Sequence, residues 1–520
     1  MQIPFANRET ILFKKSSRML EEGADDIFSK LAGVDFSDGV VIISSKRSAI
    51  FVDGRYLLAA KEFVDISKFD IVDLRIDKII YWMKNNLPFN AIISYDPRYF
   101  THREMEHFSN RLSNLTFSPI DLKRLLNFPP KIFTPEIYQL PKNENKISIA
   151  LDTIHKNNLD AYLLCDPCSI AWILDLRDLN RKYVPVMLGY LLITRNAEQL
   201  FYTDGHYNLP DFRSESELSQ DLALYSRIGI DKSQTPYHIK HHNFIDIENP
   251  CILSKSIKSP WEIEEIKQAA AKDSAAIINF LDWFYNNPQK MSELDVVEKM
   301  SYFRKQQNGF IGESFPTIAA ADDHSAIVHY IPTGKTNKII NNILLIDSGA
   351  QYRHGTTDIT RTLSISKPND EEKLFYTLVL KGHIAVAKSK FPVGATGAQL
   401  DKLARQYLHE YSADYDHSTG HGIGFMSHVH EGPISIASNN EIPLQAGMIL
   451  SNEPGYYSEK KFGIRLENMM LVKNEGNNIL SFEIISLVPF DDSLIDKTLL
   501  TESEINWLKE YDQKIASNIN

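Results

Sequence analysis

Acidic residues placed in or beside apolar, strand-forming segments constrain this chain more than any other feature of its sequence. Asp347 ends the apolar run 343–346, and Asp358 lies in a segment that alternates like a strand. Glu467 stands in a third apolar segment, two residues after Arg465. A carboxylate in such a strand is costly unless it is paired or binds a metal. If these positions are buried, the fold has to bring compensating charge to them.

The first two aspartates flank a turn-rich stretch, residues 348–355. If the flanking segments pair as a hairpin about the middle of this turn, Asp347 and Asp358 face each other. Directly opposed residues have Cβ atoms about 4.5–5.5 Å apart, so two carboxylates there require a cation between them. Two alternatives stay open at this point. The aspartates could stand at a loop edge in solvent, and Glu467 could form a lone buried pair with Arg465.

A histidine and a second glutamate extend this acidic set. His421 stands between two glycines, which allow close approach of the backbone to a ligand, and Glu453 precedes a Pro-Gly pair. Together the set has four carboxylates and one imidazole, and four negative charges balance two divalent cations. Oxygen-rich ligation with one nitrogen suits manganese, cobalt or zinc. Two such metals can share a bridging hydroxide that is nucleophilic near neutral pH.

Composition narrows the classes of protein that remain. The chain has 520 residues, 43% hydrophobic and 24% charged, which is typical of a globular protein with several domains. The net charge of −11 argues against a nucleic-acid partner. The N-terminus has no secretory signal pattern, the three cysteines fit a reducing compartment, and the most apolar stretch, residues 183–194, is too short to cross a bilayer. We therefore expect a cytoplasmic protein without a membrane partner.

The order of helical and strand-like segments predicts an α/β (α+β) protein with three domains, at residues 1–127, 147–256 and 260–520. A proline-bearing stretch at 128–146 is typical of a linker. Ser259 is a helix N-cap followed by proline, and this predicts a long helix from Pro260 to about Asn286. The sequence Asp-Gly-x-Tyr occurs at 53–56 and at 204–207, which favours two related α/β units before a larger third domain.

Six segments, in this order, resemble the metal-site motifs of the pita-bread metallopeptidases, and most closely those of the three-domain Xaa-Pro aminopeptidases (aminopeptidase P): IDSGAQY, GTTDITRT, TGHGIG, HVHEGP, NEPGYY and GIRLEN. Three further segments resemble the longer form of that family: LKGHIAVA, SIAWILDLR and the Asp-Gly-Arg-Tyr at 53–56. The resemblance implies two creatinase-like N-terminal α/β domains followed by a C-terminal pita-bread catalytic domain.

Carried over by motif position, the resemblance implies a metal-ligand role for five residues of this sequence. Asp347 would hold one metal through both of its carboxylate oxygens. Asp358 and Glu467 would bridge the two metals. His421 and Glu453 would complete the coordination of the second metal.

The resemblance also implies residues that contact a peptide. His329 resembles a substrate-side histidine, His430 the histidine that contacts the scissile carbonyl and moves protons, and His417 a further pocket histidine. Arg465 would hold the active-site network and steer the peptide, and Arg55 would reach the peptide from the first domain. Without the resemblance, His329 and His430 are ordinary strand or loop histidines, and Arg55 forms a surface salt bridge.

The implied function is a metallo-aminopeptidase that releases the N-terminal residue from peptides with proline in the second position. A hydroxide bridging two divalent metals, with manganese favoured over zinc or cobalt, would attack the scissile carbonyl. The implied catalytic residues are Glu453 as general base, His430 as stabiliser of the tetrahedral intermediate, and His329 in the proline pocket. The resemblance further implies a homodimer.

Two other functions stay open. A prolidase, which cleaves only Xaa-Pro dipeptides, would use the same metals, but the length of the chain and its two leading domains argue against it. A non-catalytic pita-bread module that binds peptides or proteins would typically lack metal ligands, whereas all five are present here. Four positions depart from the family pattern, and none of them is a ligand: Asp178, His354, Ser418 and Asn452.

Overall fold

The computed structural model describes residues 9–16, 24–34, 36–128, 133–141, 145–203, 207, 212–287 and 290–519. The chain forms two compact units, Met1–Asn180 with Val186–Cys251, and Arg181–Pro185 with Ile252–Asn520. Residues 129–132 and 142–144 of the predicted linker, and 204–206 of the predicted repeat, lie outside the described residues. The three domain boundaries stay a prediction.

The first unit contains two six-stranded sheets, a small two-stranded sheet and the helices that connect their strands. In chain order its elements are β1 (Glu9–Lys15), α1 (Ala24–Ala32), β2 (Gly39–Ser44), β3 (Ser48–Val52), α2 (Leu57–Phe63), β4 (Phe69–Asp73), α3 (Ile76–Asn86), β5 (Ile92–Tyr95), α4 (His102–Arg111), β6 (Thr116–Pro119), α5 (Leu122–Leu125), β7 (Ile137–Gln139), α6 (Ile147–Lys156), β8 (Ala161–Leu164), α7 (Pro167–Leu174), β9 (Leu176–Asp178), β10 (Tyr190–Thr194), β11 (Gln199–Thr203), β12 (Phe212–Ser214), α8 (Glu215–Leu222), β13 (Ile228–Ile230) and β14 (Phe244–Asp246).

The two large sheets of this unit have the same pairing pattern. Their strand orders are β4-β3-β2-β1-β5-β6 and β12-β11-β10-β8-β13-β14. In the first, β1 is antiparallel to β2 and parallel to β5; in the second, β8 is antiparallel to β10 and parallel to β13. Strands β3 and β8 are buried at every position, which explains their nearly continuous apolar sequences. This shared topology agrees with two related α/β units.

The second unit holds the segments that carry the predicted site. In chain order its elements are α9 (Cys251–Ser256), α10 (Pro260–Asn286), α11 (Glu293–Lys305), β15 (Phe310–Glu313), β16 (Ile318–Ala321), β17 (Ile343–Ser348), β18 (Ala350–Tyr352), β19 (Gly355–Thr356), β20 (Ile359–Ser364), α12 (Asp370–Ala387), β21 (Lys390–Pro392), α13 (Gly397–His409), β22 (Gly420–Gly422), β23 (Glu431–Ile436), β24 (Ile449–Asn452), β25 (Gly455–Ser458), β26 (Phe462–Arg465), β27 (Asn468–Gly476), β28 (Ile479–Ile484) and α14 (Glu502–Ile519).

The predicted long helix is confirmed as α10. The Ser259 side chain accepts a hydrogen bond from the Glu262 N–H, and the Glu262 side chain accepts one from the Ser259 N–H. This reciprocal capping box, with proline at the first helical position, satisfies amide groups that the helix itself leaves unpaired. The helix therefore begins where the sequence indicates.

Helix α10 supports strand β17 from one side. Leu344 and Ile346 of β17 belong to the same buried core as Ile277 and Phe280 of α10. Because side chains alternate between the two faces of a strand, Asp347 points away from this core. None of the helices in the described ranges is long and apolar enough to cross a membrane.

The expected register of the aspartate hairpin is wrong. Strands β17 and β20 pair antiparallel, but Asp347 lies opposite Thr360 and Ser348 lies opposite Ile359. Strands β18 and β19 form a separate small hairpin between them. This inner hairpin takes up the residues expected to form the turn, and Asp358 lies just before β20. The two aspartates therefore approach the site from different strand positions.

Candidate metal centre

The five predicted ligands lie on, or directly beside, different strands of the second unit. Asp347 lies near the end of β17, and Asp358 immediately precedes β20. His421 is the central residue of β22, Glu453 follows β24, and Glu467 lies between β26 and β27. Strands β22, β24 and β27 belong to one six-stranded sheet, in the order β21-β28-β27-β24-β22-β23, and β17 and β20 belong to a three-stranded sheet.

The structure brings these side chains together. One ligand atom from each of Asp358, His421 and Glu467 lies within 4.8 Å of the other two. The His421 Nε2 atom is 3.4 Å from Asp358 Oδ2 and 3.3 Å from Glu453 Oε1. Mutual repulsion connects Asp347 to the same group, because its charge helps to raise the pKa of Asp358.

Three carboxylate oxygens of this cluster are buried without a hydrogen-bond partner in the described chain: Asp347 Oδ1, Asp358 Oδ1 and Glu467 Oε1. Buried polar atoms are normally paired, and an unpaired charged oxygen is expensive. Hard divalent cations bind carboxylate oxygens and imidazole nitrogens in this kind of arrangement. The donor set therefore fits divalent metal ions.

The ionisation behaviour of the carboxyl groups agrees with this interpretation. Burial, followed by repulsion from Asp347 and Glu453, holds the pKa of Asp358 well above its usual range. Burial, followed by repulsion from Asp358 and Glu453, does the same to the pKa of Glu467. Burial also raises the pKa of Glu453, although His421 and Arg465 oppose it. A divalent cation would reverse this effect, because it stabilises the ionised carboxylates.

Hydrogen bonds orient the ligands. The His421 Nδ1 atom lies 3.0 Å from the Gly422 carbonyl oxygen, so it donates there and leaves Nε2 as the ligand atom. The Thr360 hydroxyl donates to Glu467 Oε2 at 2.6 Å. The Ser451 hydroxyl donates to Glu453 Oε1 at 3.1 Å. Such outer contacts fix ligand geometry and raise metal affinity.

Arg465 is buried beside the cluster and pairs with one of its carboxylates. Its Nη2 donates to Asp347 Oδ2 at 2.7 Å and to the Val328 carbonyl oxygen at 3.2 Å. Its Nη1 donates to the Tyr457 hydroxyl at 2.6 Å. The same hydroxyl lies 2.9 Å from His417 Nε2. Arg465 thus joins a metal-ligand candidate to the predicted pocket histidine His417.

The other predicted site residues have the following positions. His329 is half-buried and follows Val328, whose carbonyl oxygen binds Arg465. His430 is exposed, and its ring centroid is 4.2 Å from that of His421. Arg55 belongs to the first unit, where its guanidinium donates to Asp53 at 2.7 Å. Their roles stay predictions.

The four departures from the family pattern have local partners. The His354 ring pairs with Glu265 at 2.5 Å, and the Asn452 amide donates to the His383 carbonyl oxygen at 2.9 Å. Asp178 accepts a hydrogen bond from the Tyr207 hydroxyl at 2.9 Å. The Ser418 carbonyl oxygen lies 2.8 Å from His417 Nδ1. None of them lies among the five grouped ligand candidates.

Three supporting residues were missed from the sequence: Tyr457, Thr360 and Ser451. Tyr457 could have been suspected, because it stands two residues after the Pro-Gly pair and two after the start of β25. The hydroxyls of Thr360 and Ser451 give no such signal, since threonine and serine are common in strands that contact polar groups. Burial raises the pKa of Tyr457 to about 12, so its hydroxyl is protonated and can donate.

Protein-family models cover most of the chain. The model of metallopeptidase family M24 matches residues 264–474, and the C-terminal region of peptidase M24 matches 478–520. Two models of a creatinase/prolidase N-terminal domain match residues 31–125 and 130–262. The predicted fold class is confirmed by these matches.

Individual relatives match over nearly the whole length. Xaa-Pro aminopeptidase 1 of Dictyostelium discoideum is 32% identical over 545 residues, covering 94% of this chain and 86% of the relative. A probable Xaa-Pro aminopeptidase P of Laccaria bicolor is 32% identical over 534 residues, covering 92% of this chain and 83% of the relative.

Two solved structures are similar to this chain to different extents. An X-prolyl aminopeptidase from Caenorhabditis elegans, described as a cytosolic enzyme with a dinuclear active site, has a TM-score of 0.90 at 27% identity and covers 98% of this chain and 91% of its own. An Xaa-Pro dipeptidase from Bacillus anthracis has a TM-score of 0.56 at 25% identity and covers 66% of this chain and 98% of its own. The chain therefore belongs to metallopeptidase family M24 and, within it, to the Xaa-Pro aminopeptidases.

Proposed function

We propose that this protein is a metallo-aminopeptidase that releases the N-terminal residue from peptides whose second residue is proline. The observation that carries the proposal is the cluster of four carboxylates and one imidazole, in which three oxygens of the buried Asp347, Asp358 and Glu467 have no hydrogen-bond partner in the described chain. Proline forms a tertiary amide with a fixed φ and no N–H, so its cleavage calls for a dedicated pocket.

Five residues would hold two divalent cations: Asp347, Asp358, His421, Glu453 and Glu467. When bound, the cations would supply Lewis-acid polarisation of the scissile carbonyl and make a water molecule nucleophilic near neutral pH. The oxygen-rich ligand set with a single imidazole favours manganese, with zinc and cobalt as alternatives.

The side chains of the protein would carry the proton transfers. The Glu453 carboxylate, oriented by the Ser451 hydroxyl, would take the proton from the attacking water. His430, whose ring lies beside that of His421, would stabilise the tetrahedral intermediate and pass a proton to the leaving proline nitrogen. His329 would contact the proline side of the peptide, and Arg465 would hold Asp347 in place.

Relatives that match over nearly the whole length support an aminopeptidase over a dipeptidase. The Xaa-Pro aminopeptidase 1 of Dictyostelium discoideum covers 94% of this chain, and the X-prolyl aminopeptidase of Caenorhabditis elegans covers 98% of it. The Xaa-Pro dipeptidase structure covers 66%, as does an X-Pro aminopeptidase from Thermotoga maritima, so coverage by itself separates the long form of the family from shorter ones. We assign Arg55, which lies in the first unit, to the recognition of longer peptides.

Three finer properties belong to the same proposal. We infer a cytosolic location, a homodimer and manganese as the native metal. Light scattering of purified protein tests the dimer, and fractionation of the source cells tests the location. A monomeric mass or a purely extracellular protein would contradict the corresponding part.

The decisive experiment compares two substrates and several metals. Purified protein is stripped of metal, and manganese, zinc or cobalt is added back before assay on Arg-Pro-Pro and on the dipeptide Arg-Pro. We expect metal-dependent release of arginine from the tripeptide, with manganese the best activator. Cleavage of the dipeptide alone would favour a prolidase. The variant Glu453→Ala should be inactive while folded, and undiminished turnover by it would overturn the mechanism.

A further inference from the structure

Residues 181–185, which we call the strap, pack within the second unit although the residues on both sides belong to the first. At its centre Tyr183 has a φ of +67°. The Val184 N–H donates to the Lys182 carbonyl oxygen at 2.8 Å, which closes a three-residue turn around Tyr183. A turn of this kind with a positive φ is the rare, strained form of the γ-turn. Such strain persists only where neighbouring groups fix it, and it clusters at functional sites.

A single buried glutamine fixes the strap. The Gln351 amide nitrogen donates to the Tyr183 carbonyl oxygen at 2.8 Å and to the Ser427 carbonyl oxygen at 2.8 Å. Its amide oxygen accepts from the Thr356 hydroxyl at 2.8 Å. Gln351 is 1% exposed, so water does not compete for these bonds. The side chain therefore uses both of its hydrogens to join the strap to the segment around Ser427.

Ser427 lies in the loop 424–430, which leads to His430. Its N–H donates to the Thr356 hydroxyl at 3.3 Å, so it is held through both its N–H and its carbonyl. The loop is also tightly closed, because a Cβ atom at Gly424 would lie 2.0 Å from the Ser427 hydroxyl oxygen. A displacement of Ser427 would therefore be transmitted along the loop to His430.

We propose that Gln351 is a positioning residue that locks the strap to the His430 loop and thereby holds His430 beside the metal centre. The proposal rests on the proposed function, since it takes His430 as the substrate-side histidine. Gln351 itself contacts neither metal nor substrate. Without the two donor hydrogens of Gln351, Tyr183 relaxes out of the strained turn. The His430 loop loses the shorter of the two hydrogen bonds to the Ser427 carbonyl oxygen and keeps the Thr356 hydroxyl at 3.4 Å.

The first test does not depend on peptidase activity. The strap contains Arg181 and Lys182, two adjacent sites for trypsin, so its opening can be followed by limited proteolysis with mass-spectrometric mapping. Gln351→Met keeps the volume of the side chain and removes both donors. We expect cleavage in the strap to become about tenfold faster, since two hydrogen bonds no longer oppose opening. Gln399→Met, which alters only the capping of α13 at Thr396, should leave the rate unchanged.

The second test uses the same variants, loaded with metal, on Arg-Pro-Pro. Gln351→Met should lower kcat about tenfold, while KM and the metal content per chain stay within about twofold of the wild type. A merely structural role would instead lower the metal content or the thermal midpoint in step with kcat. Gln351→Asn keeps an amide group on a side chain shorter by one methylene, so we expect a smaller change in both tests. It replaces Gln351→Met as the test variant if the methionine variant does not fold.

The outcomes separate the two proposals. Unchanged trypsin cleavage in Gln351→Met overturns the lock on the strap, and unchanged kcat overturns the positioning of His430. If the wild-type protein cleaves no peptide, the proposed function fails, but the proteolysis result still decides whether Gln351 holds the strap.

Discussion

Two buried carboxylates of the second unit are linked through a single residue and yet have opposite surroundings. Asp273 accepts four hydrogen bonds, from Arg304 at 2.8 and 3.1 Å, from Tyr352 at 3.0 Å and from Thr357 at 2.9 Å. Asp358, which follows Thr357 in sequence, has an oxygen without a hydrogen-bond partner in the described chain. Protein groups therefore supply the hydrogen bonds that Asp273 accepts. Asp358 keeps an oxygen that is available to a metal ion.

A third buried acid follows the first pattern. Glu431 pairs with Lys258 and, at 3.2 Å, with Lys255, and all three side chains are buried. Burial is thus common to Asp273, Glu431 and Asp358, and only the partners differ. One partnerless oxygen is not sufficient, because Glu313 Oε1, outside the cluster, is also buried without a partner in the described chain. The comparison teaches that a metal centre of this kind is recognised by several such carboxylate oxygens in one cluster with an imidazole, rather than by burial or acidity alone.

The largest effect is expected for Asp358→Asn, which removes one of the four cluster charges. We expect no detectable hydrolysis of Arg-Pro-Pro and a loss of bound metal, because the ligand set no longer balances two divalent cations. Mass spectrometry measures the bound metal, and circular dichroism checks that the variant is folded. Asp273→Asn is the matched control and should retain its metal. Full metal occupancy in Asp358→Asn would contradict the comparison.

The next largest effect is expected on the stability of Asp273→Asn. The substitution neutralises the carboxylate that the buried Arg304 guanidinium binds at 2.8 and 3.1 Å and leaves it the Glu313 carboxylate at 3.1 Å, so we expect a cost of about 3 kcal/mol. Urea unfolding should show this loss in both metal-free and metal-loaded protein, because the partners of Asp273 are protein groups, Arg304, Tyr352 and Thr357, and not a metal ion. A change below about 1 kcal/mol would place Asp273 among ordinary surface positions.

Glu431→Gln tests the third acid through its pH dependence. Burial alone would raise the pKa of Glu431, but the ammonium groups of Lys255 and Lys258 outweigh it and hold this pKa below its usual value. A depressed pKa in the folded state stabilises the protein above the unfolded-state pKa of about 4.3, and this contribution is lost as the pH falls.

The Glu431→Gln variant should therefore be less stable than the wild type by about 3 kcal/mol at neutral pH. The difference should shrink as the pH falls below about 4.3. Urea unfolding at a series of pH values measures it. A difference that does not change with pH would show that the Glu431 charge is unimportant.

A smaller effect is expected when only a supporting contact is removed. Thr360→Val deletes the hydroxyl that donates to Glu467 at 2.6 Å, and outer contacts of this kind change metal affinity about 10–100-fold. Titration of metal into stripped protein, followed by calorimetry, measures the change. Thr377→Val, a buried threonine of α12 that donates to the Lys373 carbonyl oxygen, is the control and should keep full affinity. Equal affinities for the two variants would argue against the role of Thr360.

The smallest effect is expected for Asp358→Asn in the metal-free protein, and it has the opposite sign. The pKa of Asp358 is raised in the folded state of the metal-free wild type. This state therefore loses stability as the pH rises from the unfolded-state pKa of Asp358 to its raised pKa in the folded state. The variant lacks this charge and should be about 1 kcal/mol more stable than metal-free wild type at neutral pH. Destabilisation would mean that Asp358 resembles Asp273 after all.

Sequence reasoning singled out the clustered ligand candidates because carboxylates in apolar strands are chemically conspicuous and because their motifs resemble those of a known family. Asp347 and Glu467 stand out against their neighbours, and His421 stands out among glycines. The same reasoning failed on the register of Asp347 and Asp358. The inner hairpin depends on Gly349, where a Cβ atom would lie 2.0 Å from the Thr357 carbonyl oxygen, and this contact is not visible from local pattern.

The supporting groups were beyond prediction for a related reason. The Tyr457 hydroxyl acquires its role from Arg465 on the neighbouring strand. The turn at Tyr183 is held by Gln351, 168 residues away in the chain. Local sequence does not indicate the Tyr457 contact, because its partner lies on another strand. It argues against the turn at Tyr183, because a tyrosine at positive φ is intrinsically unfavourable. Long-range partners decide such details, and no periodicity records them.

The inner hairpin, β18 with β19, also sets a rule for engineering this region. The two candidate ligands Asp347 and Asp358 stand at its two feet, while its tip lies at Arg353 and His354. Adding a single residue to one arm would turn every following side chain to the other face of the strand. A peptide tag or sensor loop should therefore be grafted between Arg353 and His354, where it lengthens the turn and leaves the pairs Gln351–Thr356 and Tyr352–Gly355 in register. An insertion within either arm should displace one of the two aspartates.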